Sequence, residues 1–198
     1  MQQLTSAKII LQEGGIIIFP TDTVFGIGCL VNFPKSIEKL YQIKKRDGAK
    51  PTLVLASSVE KLEKLAVFNA RAKQLADAFW PGPLTICLQS RKSVPKSILG
   101  PQNTLAVRVP AHKWLLNLLK QVGAPLLAPS ANFQGGKPAK FLAEIDKELI
   151  KLVDYVVDIE PEGLRPSTII SFENNKNYKL VRAGPISKEE IDQVFSKT

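Results

Sequence analysis

Apolar positions along this chain alternate between a helical period and a strand-like one. Leu4, Ala7, Ile10 and Leu11 share one face at helical spacing, and Gly14 and Gly15 follow as a stop, so the chain opens with an amphipathic helix. Positions 16–19 form a continuous apolar run closed by Pro20, the pattern of a strand buried on both faces in the middle of a helix-flanked sheet. The hydroxyl-rich segment 20–28 that follows is an ordinary turn, unless Gly26 and Gly28 let backbone pass close to another group. Pro34 sits where a first helical position should be, and Ile37, Leu40, Tyr41 and Lys44 continue the period. A strand is expected over 52–56, then a capping box of Ser57 and Glu60 ahead of Leu62 and Leu65. A helix over 70–79 must end at Pro81 and Pro83, since neither can extend it.

The second half continues the alternation. Runs 84–88 and 105–109 read as strands, separated by a polar, Pro-containing excursion over 90–103 that is expected to be mobile. Trp114, Leu115, Leu118 and Leu119 give a helix, 126–128 a short buried strand, and 134–138 turn material. Leu142, Ile145, Leu149 and Leu152 predict a helix, and 155–159 a strand. Segment 165–170 reads as a strand entered through the hydroxyls of Ser167 and Thr168, and 178–182 should be its hairpin partner across Asn174 and Asn175. Ser187 and Glu190 cap a last helix. Such alternation means an α/β layer fold, and the late hairpin makes its sheet mixed rather than parallel. With 198 residues, 44% of them hydrophobic, the chain is expected to be a single domain over 1–198.

Charge narrows the partners. Lys and Arg total 27 against 18 Asp and Glu, a formal charge of +9, which points to an anionic partner such as nucleotide or nucleic acid without choosing between them. Cys29 and Cys87 are far apart in or beside apolar stretches, so buried structural roles in a reducing cytoplasm are expected. The amino terminus shows no leader pattern and no run is long enough to cross a bilayer, so the protein is read as cytoplasmic and unprocessed. His112, the one histidine, stands at a helix start and reads as a cap or surface group. A Ser-His-Asp triad, a His-based metal site and a zinc deaminase centre therefore lack their parts. No Walker A motif is present, and Gly26 and Gly28 lack the third glycine of a dinucleotide fingerprint.

What remains is phosphate chemistry by positioning. Lys44, Lys45, Arg46 and Lys50 place four cations in seven positions ahead of an apolar run, either a solvated helix end or an anion-binding loop. A second loop over 128–132 offers Ser130 and Asn132 as neutral donors. Cations from one loop and donors from the other suit a triphosphate, because adenylyl or phosphoryl transfer needs little beyond fixed charge around the phosphates. Arg108 sits inside an apolar strand and must have a partner, either a structural carboxylate or a substrate carboxylate.

Seven segments in order carry a resemblance: PTDTVFGIG at 20–28, Lys44 with Arg46, WPGPLT at 80–85, LAVRVP at 105–110, APSAN at 128–132, PST at 166–168, and Val181, Arg182 and Gly184. Together they resemble the YrdC/TsaC family of threonylcarbamoyl-AMP synthases, along nearly the whole chain. The resemblance implies a YrdC-like open twisted mixed sheet flanked by helices, with a concave basic cleft. It implies an enzyme joining L-threonine, bicarbonate and ATP, with Mg²⁺ on the phosphates and no side-chain metal ligands, to release pyrophosphate. The product would supply tRNA threonylcarbamoyl-transfer proteins that modify the adenosine beside the anticodon. By the same matching, Lys44, Arg46, Ser130 and Asn132 would be catalytic. Arg46, Lys50, Thr104, Ser130 and Arg182 would face ATP, and Thr23, Arg108 and Ser167 would face threonine. Arg108 would then fork onto the threonine carboxylate. Leu55 departs from the His that longer relatives often carry there, and the chain resembles short members without the extra carboxy-terminal domain. Two rivals stand beside this reading: a double-stranded RNA or tRNA binding module that makes no adenylate, and an adenylate-forming enzyme for another small amino acid.

Overall fold

In the computed structural model, which describes residues 2–45, 52–172 and 177–196, the strands divide between two sheets. The smaller has the order β2-β1-β7, with β1 (Ile17–Phe19) between antiparallel β2 (Gly26–Gly28) and parallel β7 (Tyr155–Val156). The apolar run at 16–19 is thus a central strand, as its all-buried pattern requires, but of this small sheet.

The larger sheet is mixed, ordered β6-β3-β5-β4-β8-β9. Its members are β3 (Leu53–Leu55), β4 (Leu84–Gln89), β5 (Thr104–Arg108), β6 (Leu126–Leu127), β8 (Thr168–Phe172) and β9 (Tyr178–Arg182). Register sorts the side chains. Val54, Val107, Ile86, Ile170 and Leu180 are linked in one cross-strand row, and all five join the larger apolar core. Side chains alternate along a strand, so their neighbours point the other way. Leu55, Arg108 and Ile169 therefore share the opposite face, with Leu53, Ala106, Cys87 and Ser171 one step along it, and an irregularity in register between Ile169 and Ile170 pairs Arg182 with Ile169 and brings it to this face as well.

Helices cover the apolar face. Residues of α2 (Pro34–Lys44), α3 (Val59–Glu63), α4 (Ala70–Phe79) and α7 (Lys188–Ser196) join the larger core. Those of α1 (Gln2–Gln12) and α5 (Lys113–Val122) pack with Ile17, Phe19, Leu55 and Leu126 in the smaller one. Local signals place these helices well. Pro34 is the first residue of α2, Asn69 accepts the Ala72 N–H at 2.8 Å, and His112 Nδ1 accepts the Leu115 N–H at 3.4 Å. Ser187 and Glu190 form the reciprocal box, with Ser187 Oγ accepting the Glu190 N–H at 3.1 Å and the Glu190 carboxylate accepting the Ser187 N–H at 2.8 Å. These bonds hold the Glu190 carboxyl below its ordinary range.

Four expectations are corrected. The short α3 starts after Ser58 rather than Ser57. Helical spacing over 142–152 resolves into a 3-10 turn and α6 (Lys147–Lys151), because Asp146 accepts the Glu148 N–H at 2.8 Å and restarts the helix. The strand expected at 155–159 pairs only over Tyr155–Val156. The excursion over 90–103 is built into the fold: Val94 and Ile98 are buried, and Arg91 and Ser90 donate their N–H groups to Leu65 O and Asn103 O at 2.7 and 2.9 Å. The hairpin of β8 and β9 forms as expected, with its Asn174 and Asn175 turn outside the described residues.

A seam joins the two sheets. Ile27 donates to Pro129 O at 2.9 Å, Leu127 to Cys29 O at 2.9 Å and Ala131 to Phe25 O at 2.8 Å, so β2 lies along the segment leaving β6. Gly28 is needed there, since a Cβ would stand 1.6 Å from Leu127 O. At Gly26 the obstacle would be the Phe19 ring, 2.8 Å away.

Candidate active site

The seam brings the turn after β1 and the loop after β6 over the polar face of the larger sheet. Between them lies a cavity of about 230 Å³. The sheet supplies Leu53, Leu55, Thr85, Ala106, Arg108 and Ile169; the loops add Thr21, Thr23, Ser130 and Ser167, and β9 adds Arg182. Thr23, Arg108, Ser130, Ser167 and Arg182, drawn from five separate parts of the chain, thus meet in one hollow.

Arg108 is 2% exposed, and its partner comes from within the chain. Its Nη2 pairs with Asp22, its Nε donates to Gly82 O at 2.8 Å and its Nη1 donates to Thr23 Oγ1 at 3.2 Å. Of the two partners open to it, a structural carboxylate is the one present. Three of its five N–H groups are thereby spent. The other Asp22 oxygen is buried without a hydrogen-bond partner among the described residues.

Across the cavity, Arg182 Nε donates to Ser167 O at 3.0 Å and Nη2 to Ser167 Oγ at 3.1 Å. Ser167 Oγ is in turn 2.8 Å from Thr85 Oγ1, an almost fully buried hydroxyl. Burial, and after it the like charge of Arg108, draw the Arg182 guanidinium below its ordinary range. Two arginines thus face one cavity, and among the described residues only Arg108 has a carboxylate partner, so this end favours an anion.

Lys44 plays a different part from the one its position in a cationic run suggests. It is 5% exposed and its Nζ donates to Ser130 O and Asn132 O, both at 2.6 Å, which pins the loop over 128–132 from behind. Asn132 does not line the cavity either; its Nδ2 donates to Phe133 O at 2.7 Å and Gly136 O at 2.9 Å, closing the following turn. Lys44 and the Ser130 loop are therefore together, as expected, with Lys44 behind the loop. Arg46 and Lys50 lie outside the described residues.

Thr104 is not part of the cavity wall. It starts β5, with Oγ1 donating to Pro101 O at 2.8 Å, on the same face as Ala106 and Arg108 but four residues from the latter. Sequence reasoning overlooked Thr21 and Thr85. Thr85 lay in plain view in the WPGPLT segment, yet its side is set by pairing with β8, which no local pattern reveals.

Both thiols are buried and pushed up by desolvation, Cys29 to about 12 and Cys87 to about 11. Among the described residues, no group of three or more His, Cys, Asp or Glu side chains is placed to hold a metal ion, and no helix is long and apolar enough to cross a membrane.

This arrangement has counterparts in known proteins. The chain is 30% identical over 188 residues to a Pyrococcus abyssi protein named threonylcarbamoyl-AMP synthase, covering 94% of this chain and 55% of that one. It is 37% identical over 180 residues to a Methanocaldococcus jannaschii protein named putative threonylcarbamoyl-AMP synthase, covering 90% of this chain and 84% of that one. Among solved structures, that of P. abyssi Sua5 complexed with L-threonine superposes with a TM-score of 0.91 at 32% identity, over 96% of this chain and 56% of the other. The chain spans about half the length of the P. abyssi relative. A family model described as telomere recombination, Sua5/YciO/YrdC, matches residues 9–184, and with these likenesses the chain belongs to the Sua5/YciO/YrdC family.

Proposed function

We propose that this protein is an L-threonylcarbamoyladenylate synthase, a nucleotidyltransferase that makes threonylcarbamoyl-AMP and pyrophosphate from L-threonine, bicarbonate and ATP. The observation that carries the reading is the meeting of Thr23, Arg108, Ser130, Ser167 and Arg182 around one cavity, in a chain similar to proteins named for this activity.

Size divides the substrates. About 230 Å³ is below the roughly 300–1,000 Å³ of clefts that enclose drug-sized ligands, so the cavity suits an amino acid rather than a whole nucleotide. ATP would then lie outward along the polar sheet face, toward Thr104, with Ser130 and Arg182 at its phosphate end. Arg46 and Lys50 remain our candidates for further phosphate contacts. Mg²⁺ would come in on the triphosphate, offsetting its charge; Asp22 is already committed to Arg108.

The chemistry asks for positioning. The threonine amine and bicarbonate give a carbamate and water, and the carbamate oxygen attacks the α-phosphate with loss of pyrophosphate, so no His or Cys base is required. Holding two anions together is the barrier the protein must lower, and a cation fixed in a sheltered site does so without reorganising. Arg182, anchored by Ser167, is that cation. Arg108 holds Thr23 in place and has two N–H groups left for a carboxylate. Lys44 acts through the loop, turning the carbonyls of Ser130 and Asn132 away from incoming phosphates. The product would pass to proteins that transfer the threonylcarbamoyl group to tRNA.

A module that binds double-stranded RNA without chemistry is not favoured, because the relatives are named as synthases; direct contact of this chain with tRNA remains a separate proposal. The deciding measurement is pyrophosphate release from ATP, expected only with both L-threonine and bicarbonate present. Ser130→Ala should lower kcat by about 10²-fold, the usual effect of deleting one positioned donor, and Lys44→Ala should lower it through the same loop. Release that ignores threonine, or serine and valine replacing it equally, would overturn the reading.

A further inference from the structure

Close oxygen contacts at the inner end of the cavity fix where the hydroxyl protons lie. Thr21 Oγ1 stands 2.7 Å from Val24 O and 2.8 Å from Thr23 Oγ1. Oxygens so close need a proton between them. A carbonyl has none to give, and Thr21 has one, so Thr21 donates to Val24 O. The contact between the two hydroxyls must then be bridged by the proton of Thr23. The remaining lone pair of Thr21 Oγ1 is shared by the backbone N–H groups of Thr23 at 3.0 Å and Val24 at 3.2 Å, a three-centre contact that holds it in place.

Thr23 is left without a proton to offer. One of its lone pairs takes Arg108 Nη1 at 3.2 Å, and the other has no partner among the described residues. We infer that Thr21 is a positioning residue that makes Thr23 an acceptor, so that Thr23 takes a hydrogen-bond donor of the amino acid rather than its carboxylate. The carboxylate then goes to the two N–H groups that Arg108 has left rather than to Thr23 itself. Without Thr21, the Thr23 hydroxyl can rotate and present its proton to the ligand, the wrong sign for an N–H or O–H. This inference rests on the reading of the cavity as an L-threonine site.

Calorimetric titration with L-threonine tests it in the full chain and in Thr21→Val, Thr21→Ser, Thr23→Val and the Thr21→Val/Thr23→Val pair. Each valine variant should weaken threonine about tenfold, the worth of one hydrogen bond. Thr21→Ser should bind as the unchanged chain does, and the double variant no worse than either single one, because both remove the same interaction. ATP affinity should stay within about twofold throughout. A Thr21→Val change that spares threonine binding, or a double variant weaker by the product of the two, overturns the inference while leaving the threonine site standing. No threonine binding by the unchanged chain ends both. Should Thr21→Val fail to fold, proton NMR of the unchanged chain decides: a Thr23 hydroxyl proton sheltered from exchange, with a cross-peak to Thr21, supports the assignment, and its absence overturns it.

Discussion

Arg108 meets a buried carboxylate from the other sheet's turn. Breaking such a pair by removing one charge leaves the other buried and unpaired, which costs roughly 3–5 kcal/mol. Asp22→Asn should therefore lower the unfolding free energy by about that much in urea titration, whereas an exposed pair such as Lys151 with Glu148 should contribute about 1 kcal/mol or less. Replacing Arg108 and Asp22 together by apolar residues should recover most of the stability and none of the function, because Thr23 loses its neighbour along with the charge.

At the scale of elements the seam between β2 and β6 decides the most. A Cβ on Gly28 would sit 1.6 Å from Leu127 O, and that obstacle is backbone rather than a movable side chain. Gly28→Ala must push β2 away from the segment leaving β6, and with it the turn that carries Thr21 and Thr23. A loss above about 4 kcal/mol is expected from denaturant unfolding, in the range reserved for strained or overpacked sites. On the proposed reading of the cavity as a threonine site, surviving protein should bind threonine more weakly, since the cavity has one wall on each side of this seam.

For the whole molecule, the two cysteines report on opening. Cys29 lies at the seam and Cys87 on the polar face of the larger sheet, and burial raises both thiols, to about 12 and about 11. At pH 8 both remain protonated and unreactive, so alkylation should be slow in the folded protein and fast in denaturant. The linkage has a definite sign. A thiol whose folded value lies above its unfolded one stabilises the fold below the unfolded value, near 8.5, and that contribution is lost as pH rises through the folded value. Stability measured from pH 8 to 11 should accordingly fall, and less steeply in a Cys87→Ala variant.

Local rules carried much of the fold. The cap at Ser187 and Glu190, the helix stop after Phe79 and the helix start at Pro34 each depend on neighbours within four residues, and each is where the chain's order of residues puts it. Over 142–152 the apolar spacing was helical but Asp146 competed for the backbone, so periodicity misled. For the site, residue types and motif order sufficed to name Thr23, Arg108, Ser130, Ser167 and Arg182, and the need of Arg108 for a partner was visible in its apolar strand. That the partner is Asp22, 86 residues away, was not visible, nor that Thr85 faces the cavity while Lys44 sits behind it. Those facts follow from strand register and from which sheet lies over which, set by burial summed over the entire chain. The sequence by itself determined which groups are available and which segments are helix or strand, because capping and periodicity act over a few residues. Only the tertiary structure decided which of those groups share a cavity, because pairing between distant strands sets the side each residue faces.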